Sequence, residues 1–127
     1  MKIDSMVKLV KFFNEKTNVN FVYFLNSNRK IIFTIEIKNP PKDILNIEKK
    51  MEEEIKSLIS VEKPVKVLIL TSTSYKLLNY IIKNGGMLLF CRNENVLMEW
   101  LEKNSLNKTQ PFYLNFDLKL EHSLGVY

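Results

Sequence analysis

The chain has 127 residues, 46% of them hydrophobic and 26% charged, with a formal net charge of +5. That is one domain's worth of sequence, long enough to bury a core without staples and too apolar for a disordered chain. A single cysteine (Cys91) and a single histidine (His122) exclude an internal disulfide and argue against a zinc cage or a Cys-His dyad.

No apolar run reaches the ~20 residues of a membrane span, and the charged start MKIDSMVKLVKFF lacks the apolar core of a signal peptide. The expectation is one cytoplasmic domain over 1–127 with no membrane association and with Cys91 as a buried, inert thiol. The positive charge is nearly all lysine, the arginines being Arg29 and Arg92. Lysine can serve phosphate backbones. The chain also lacks alanine and is rich in Lys, Ile and Asn, the mark of an AT-rich coding bias that raises lysine whatever the function.

The first element reads as a helix with Asp4 or Ser5 as N-cap and Met6, Val7, Leu9, Val10 and Phe13 at helical spacing. Segments 19–25 (VNFVYFL) and 30–38 (KIIFTIEIK), separated by NSNR, predict a hairpin. In the second strand Ile31, Phe33, Ile35 and Ile37 share one face, and Ile32, Thr34, Glu36 and Lys38 the other. That second face is either the wet side of a sheet or the seat of a charged site. NPPKD stops the sheet, since proline cannot donate to a ladder.

A helix over about 43–60 follows, with Ile44, Ile47, Met51, Ile55, Leu58 and Ile59 as its apolar stripe and the Glu52-Glu53-Glu54 run as a solvated face. VKVLILTSTS predicts a buried central strand, parallel to a neighbour. Ser72, Thr73 or Ser74 then caps a helix carrying Leu77, Leu78, Ile81 and Ile82 that ends at Asn84-Gly85-Gly86. MLLFC is a short buried strand. In the helix of NENVLMEWLEKN, Asn93 or Asn95 is the cap and Val96, Leu97, Trp100 and Leu101 point inward. FYLNFDLKL, residues 112–120, alternates strictly and predicts a half-exposed strand at an edge or a subunit contact. His122 beside Glu121 reads as a solvated tail residue. The element order α-β-β-α-β-α-β-α-β implies an α/β fold, a mixed central sheet flanked by helices.

The chemistry concentrates on the hairpin. There is no glycine-rich phosphate loop and no G-x-S-x-G elbow. A divalent metal held by carboxylates on adjacent strands, with a lysine nearby, can cut a phosphodiester. Glu36 and Lys38, at i and i+2, supply one acid and the cation. A three-residue hairpin loop sets Asn20 opposite Glu36, a two-residue loop sets Val19 there, and neither is acidic.

Glu36-Ile37-Lys38 at the end of an apolar strand, then a helix, then VKVLILTSTS and YKLLNYIIKNGGMLLFCRNENVLMEWL, resembles the PD-(D/E)XK nuclease superfamily, in particular archaeal Holliday-junction resolvase and Mrr-type domains. The likeness spans roughly 18–101, and its motif letters are Glu36 and Lys38 alone. It implies a restriction-endonuclease-like fold and a Mg²⁺- or Mn²⁺-dependent endonuclease site, with Glu36 as metal ligand and Lys38 as catalytic lysine. The usual aspartate is missing; Asn20 or Tyr23 lies near its place, with Asn20 as a neutral substitute ligand, and Glu15 is an acid that could approach from another direction.

A nuclease-fold protein with a degenerate site follows as an expectation. It would bind or cut DNA or RNA, with Lys42, Thr71 and Ser72 toward the phosphate backbone. Two alternatives stand beside it. One is a catalytically silent subunit of a nuclease complex such as tRNA splicing endonuclease, a homodimer or hetero-complex joined through 112–120. The other is a small-ligand sensor with a Rossmann-like sheet, holding an anion where TSTS opens a helix.

Overall fold

The computed structural model describes residues 2–71 and 74–103, in the order α1 (Ile3–Glu15), β1 (Val19–Asn26), β2 (Ile31–Ile37), α2 (Ile44–Leu58), β3 (Val65–Leu70), α3 (Tyr75–Lys83), β4 (Met87–Cys91) and α4 (Glu94–Lys103). The expected strand 112–120, His122 and Ser72 lie outside the described residues.

The four strands form one mixed sheet in the order β3-β2-β1-β4. β1 runs antiparallel to both β2 and β4, and β3 runs parallel to β2. β2, β3 and β4 therefore end on the same side of the sheet, beside the start of β1.

Both faces are covered. Leu9 and Phe13 of α1 and Met51 and Ile55 of α2 pack on Val22, Phe24, Phe33, Ile35 and Val67. On the opposite face Leu78 and Ile81 of α3 and Leu97, Trp100 and Leu101 of α4 pack on Phe21, Tyr23, Leu25 and Ile32. A right-handed crossover that steps one way along a sheet and then back puts its helices on opposite faces. Here α2 steps out from β2 to β3, and α3 returns across the whole sheet to β4.

The second face of β2 is consequently not a wet one. Ile32 is 8% exposed, and Thr34 is fully buried with its hydroxyl donating to the Tyr23 carbonyl at 3.4 Å. Only its last member within the strand, Glu36, is part-exposed, and Lys38 lies just beyond the strand in solvent.

β3 is the outer strand of the sheet, not a central one. α2 covers its edge as well as one of its faces. Glu52 accepts a hydrogen bond from the Val67 amide at 3.0 Å, and Glu48, only 8% exposed, accepts one from the Ile69 amide at 2.8 Å. Glu52 is therefore not part of a solvated run, while Glu53 is exposed and Glu54 pairs with Lys16 at 3.3 Å.

Helix ends also differ in detail from expectation. α1 begins one residue before Asp4, with Lys2 at the N-cap and no side-chain cap bond. Its C-terminal end is held from across the sheet. Arg92 donates to the carbonyls of Asn14 (2.8 Å), Phe13 (3.3 Å) and Lys16 (3.3 Å) around the helix end, where intrahelical partners run out, and to that of Val19 (3.1 Å) at the start of β1. Ser74 occupies the N-cap position of α3 but turns its hydroxyl back to Thr71, whereas Asn93 caps α4 as expected, through the Val96 amide at 3.2 Å. α3 stops where Gly85 takes φ 92°, a conformation glycine adopts without strain.

Among the described residues no helix is long and apolar enough to cross a membrane.

Candidate functional site

A backbone irregularity builds the site. The hairpin loop is neither two nor three residues long but four, 27–30, closed by the Ser27 amide on the Lys30 carbonyl at 3.0 Å. This register sets Phe21, not Asn20 or Val19, opposite Glu36. Between Val19 and Phe21 the pairing shifts by one residue, so Asn20 is an extra residue of β1. Such a bulge re-aims a side chain. Asn20 Nδ2 reaches Glu36 Oε1 at 2.7 Å, and its carbonyl takes the Arg92 amide at 2.6 Å. Asn20 and Glu36 are thus together as expected, but by a bulge and not by direct opposition.

The second partner of Glu36 arrives from the far end of the chain. Trp100 of α4 donates its indole N–H to Glu36 Oε2 at 3.3 Å. Its ring lies 4.6 Å from that of Tyr75, the first residue of α3, and 6.4 Å from Phe21. Both carboxylate oxygens of Glu36 therefore accept from neutral donors.

Around this group lies an open cleft of about 470 Å³ at the carboxyl ends of β2 and β3, lined by Glu36, Thr71, Tyr75, Glu99, Trp100 and Lys103 with apolar neighbours. In open α/β sheets this end of the strands is where ligands bind. Three of the described lining residues are charged: Glu36, Glu99 and Lys103. The Lys103 ammonium sits over the Tyr75 ring, 5.3 Å from its centre. Its pKa is held above the ordinary value, chiefly by the neighbouring Tyr75 side chain.

Of the expected site residues, Glu36, Asn20 and Thr71 gather here. Lys38 and Lys42 are exposed and are not among the cleft's lining. Tyr23 is buried in the core, its hydroxyl pushed well above the usual range by desolvation and secondarily by Cys91. Glu15 stands at the end of α1, exposed, beside Lys8, Lys11 and Phe12.

A divalent metal needs several hard oxygen ligands. Among the described residues no group of three or more His, Cys, Asp or Glu could hold one. Among the described residues, Glu36 is therefore not part of a cluster of metal-ligating side chains.

The sequence reading had missed Tyr75, Glu99 and Lys103. The signal was present in α4, where Val96, Glu99, Trp100 and Lys103 stand at i, i+3, i+4 and i+7 and so share a stripe next to the buried one.

No family model matches the chain, and no curated protein matches it. A solved structure does: one chain of the tri-AMPylated Shewanella oneidensis HEPN toxin in complex with MNT antitoxin is similar to this chain, with a TM-score of 0.60 and 14% identity over 82% of this chain and 84% of that one. At that identity the likeness is one of fold.

Proposed function

We propose that this chain is a non-catalytic binding subunit that holds a protein partner on an α/β scaffold, in the way an antitoxin holds a toxin. The observation that carries this reading is the isolation of Glu36. Its two oxygens each accept one hydrogen bond, from Asn20 and Trp100, and the other acid of the described cleft is Glu99 on α4. The metal-assisted route to transfer or hydrolysis of a phosphoryl or nucleotidyl group uses divalent metal to neutralise charge in the transition state. A carboxylate held in one orientation by an amide and an indole suits recognition of a partner instead.

The similar solved structure supports the choice of partner class, because it is a complex of toxin with antitoxin in which the toxin carries AMP groups. In this reading the present chain blocks its partner by occupancy and transfers nothing to it. The nuclease reading, with Glu36 and Lys38 as catalytic pair and Lys42 and Thr71 toward the phosphate backbone, draws less support from the geometry. Lys38 and Lys42 stand outside the cleft, and the cleft's charged lining is two carboxylates against one ammonium.

The test is to tag the chain in its native cell, identify a partner recovered at fixed stoichiometry, and reconstitute the pair from purified components. The expected result is a stable complex of fixed stoichiometry with the wild-type chain, with no AMP added to the partner in the presence of ATP and Mg²⁺. AMP transfer, or Mn²⁺-dependent cleavage of DNA or RNA that Glu36→Ala abolishes, would overturn the reading in favour of an enzyme.

A further inference from the structure

We propose that the Glu36–Tyr75–Glu99 cleft is a guanidinium site that receives an arginine side chain from the protein partner. The source of the arginine rests on the binding-subunit reading above; the preference of the cleft rests on its own chemistry. Although the chain carries +5 overall, the charged groups of the described lining are Glu36, Glu99 and Lys103, a local balance of −1. An anion entering there meets two carboxylates, whereas a cation meets two opposite charges and an aromatic face.

The chain already places a cation of its own on that face. The Lys103 ammonium lies 5.3 Å from the centre of the Tyr75 ring, within the ~6 Å range of a cation–π contact. Lys103 is exposed and long, so it is a readily displaced occupant.

Guanidinium fits better than ammonium for two reasons. Its planar fork stacks on an aromatic ring while donating in plane to a carboxylate, and it is the more weakly hydrated ion. Glu36 is suited to accept it. Each carboxylate oxygen has more than one lone pair, and the bonds from Asn20 (2.7 Å) and Trp100 (3.3 Å) hold the group in one orientation without exhausting it. Trp100, 8% exposed, acts as a positioning residue: its indole N–H orients Glu36 and its ring backs Tyr75.

Trp100 is the sole tryptophan of the chain, so its emission and its indole N–H resonance report on the site directly. Titration of the full chain with acetyl-Gly-Arg-Gly-amide is expected to shift both signals saturably, with a dissociation constant on the order of millimolar. The neutral citrulline peptide and spermidine at equal ionic strength are expected to bind at least about fivefold more weakly, as loss of charge or of the planar fork requires.

Glu36→Gln should weaken the arginine peptide about fivefold. Asn20 can turn its amide to satisfy the new side chain, so the fold is retained. Glu99→Gln, an exposed change that leaves packing untouched, should weaken it in the same direction. Lys103→Met should tighten it by about twofold or more, because it removes the internal competitor. Equal binding of citrulline, spermidine as tight as arginine, weaker binding in Lys103→Met, or no saturable change in either signal would each overturn the proposal. None of these results bears on whether a partner co-purifies, so failure of the guanidinium site and failure of the binding-subunit reading are distinguishable.

Discussion

Arg92 and Cys91 are neighbours in sequence with opposite relations to solvent. The Arg92 guanidinium reaches the carbonyls at the end of α1 and so ties the first helix to the end of β4. Cys91, by contrast, is half-buried, not fully buried as expected, and its thiol is pushed up from an ordinary 9.0 to about 11. Desolvation by burial is the main cause, and Glu94 adds to it.

The thiolate is the reactive form. The folded protein at pH 8 should therefore react with a disulfide reagent about a hundredfold more slowly than a free thiol, with a rate that climbs about tenfold per pH unit toward 11. The sign for stability follows from linkage. The unfolded chain loses this proton near 9 while the folded chain keeps it, so stability is full below pH 9 and declines as pH rises from 9 toward 11. A reaction at pH 8 as fast as that of the unfolded chain would contradict this. With one cysteine in the sequence, the readout has a single source.

Among elements, α2 has a task beyond packing. An outer strand leaves alternate backbone amides without partners and invites pairing with another chain. Glu48 and Glu52, one helical turn apart, reach over and accept from the amides of Ile69 and Val67. Glu48→Ala should therefore cost about 1–3 kcal/mol, the loss of a buried acceptor. The double change with Glu52→Ala should add a tendency to self-associate through β3. Glu48→Gln, which keeps an amide oxygen for Ile69, should lose less. Urea midpoints with light scattering would check this order, and an alanine variant as stable as the glutamine variant would refute it.

For the whole molecule, three layers with both sheet faces covered leave the carboxyl ends of β2 and β3 as the place where side chains from β1, β2, α3 and α4 meet. Because Glu36 stands apart from any metal-holding group among the described residues, millimolar Mg²⁺ or Mn²⁺ should leave the melting temperature unchanged. A ligand binding the native state at a hundred times its dissociation constant would add about 2.7 kcal/mol. A rise in melting temperature with Mn²⁺ that Glu36→Gln removes would reinstate a metal site.

The sequence by itself determined the eight described elements, their order and the apolar stripes of α2, α3 and α4. Periods of 2 and 3.6 are local properties, written in adjacent letters such as IIFTIEI and YKLLNYII. Only the tertiary structure decided which strand lies beside which, and with that the meaning of the charged residues. Glu36 stayed open between the wet side of a strand and a charged site because alternation carries no information about what covers each face. Trp100, 64 residues away, supplies half of its hydrogen bonding. The bulge at Asn20 and the edge position of β3 were hidden for the same reason: both are settled by pairing between distant segments. Apolar runs record that the faces of a strand are covered and say nothing of its edges, which at β3 are met by β2 on one side and by two glutamates of α2 on the other.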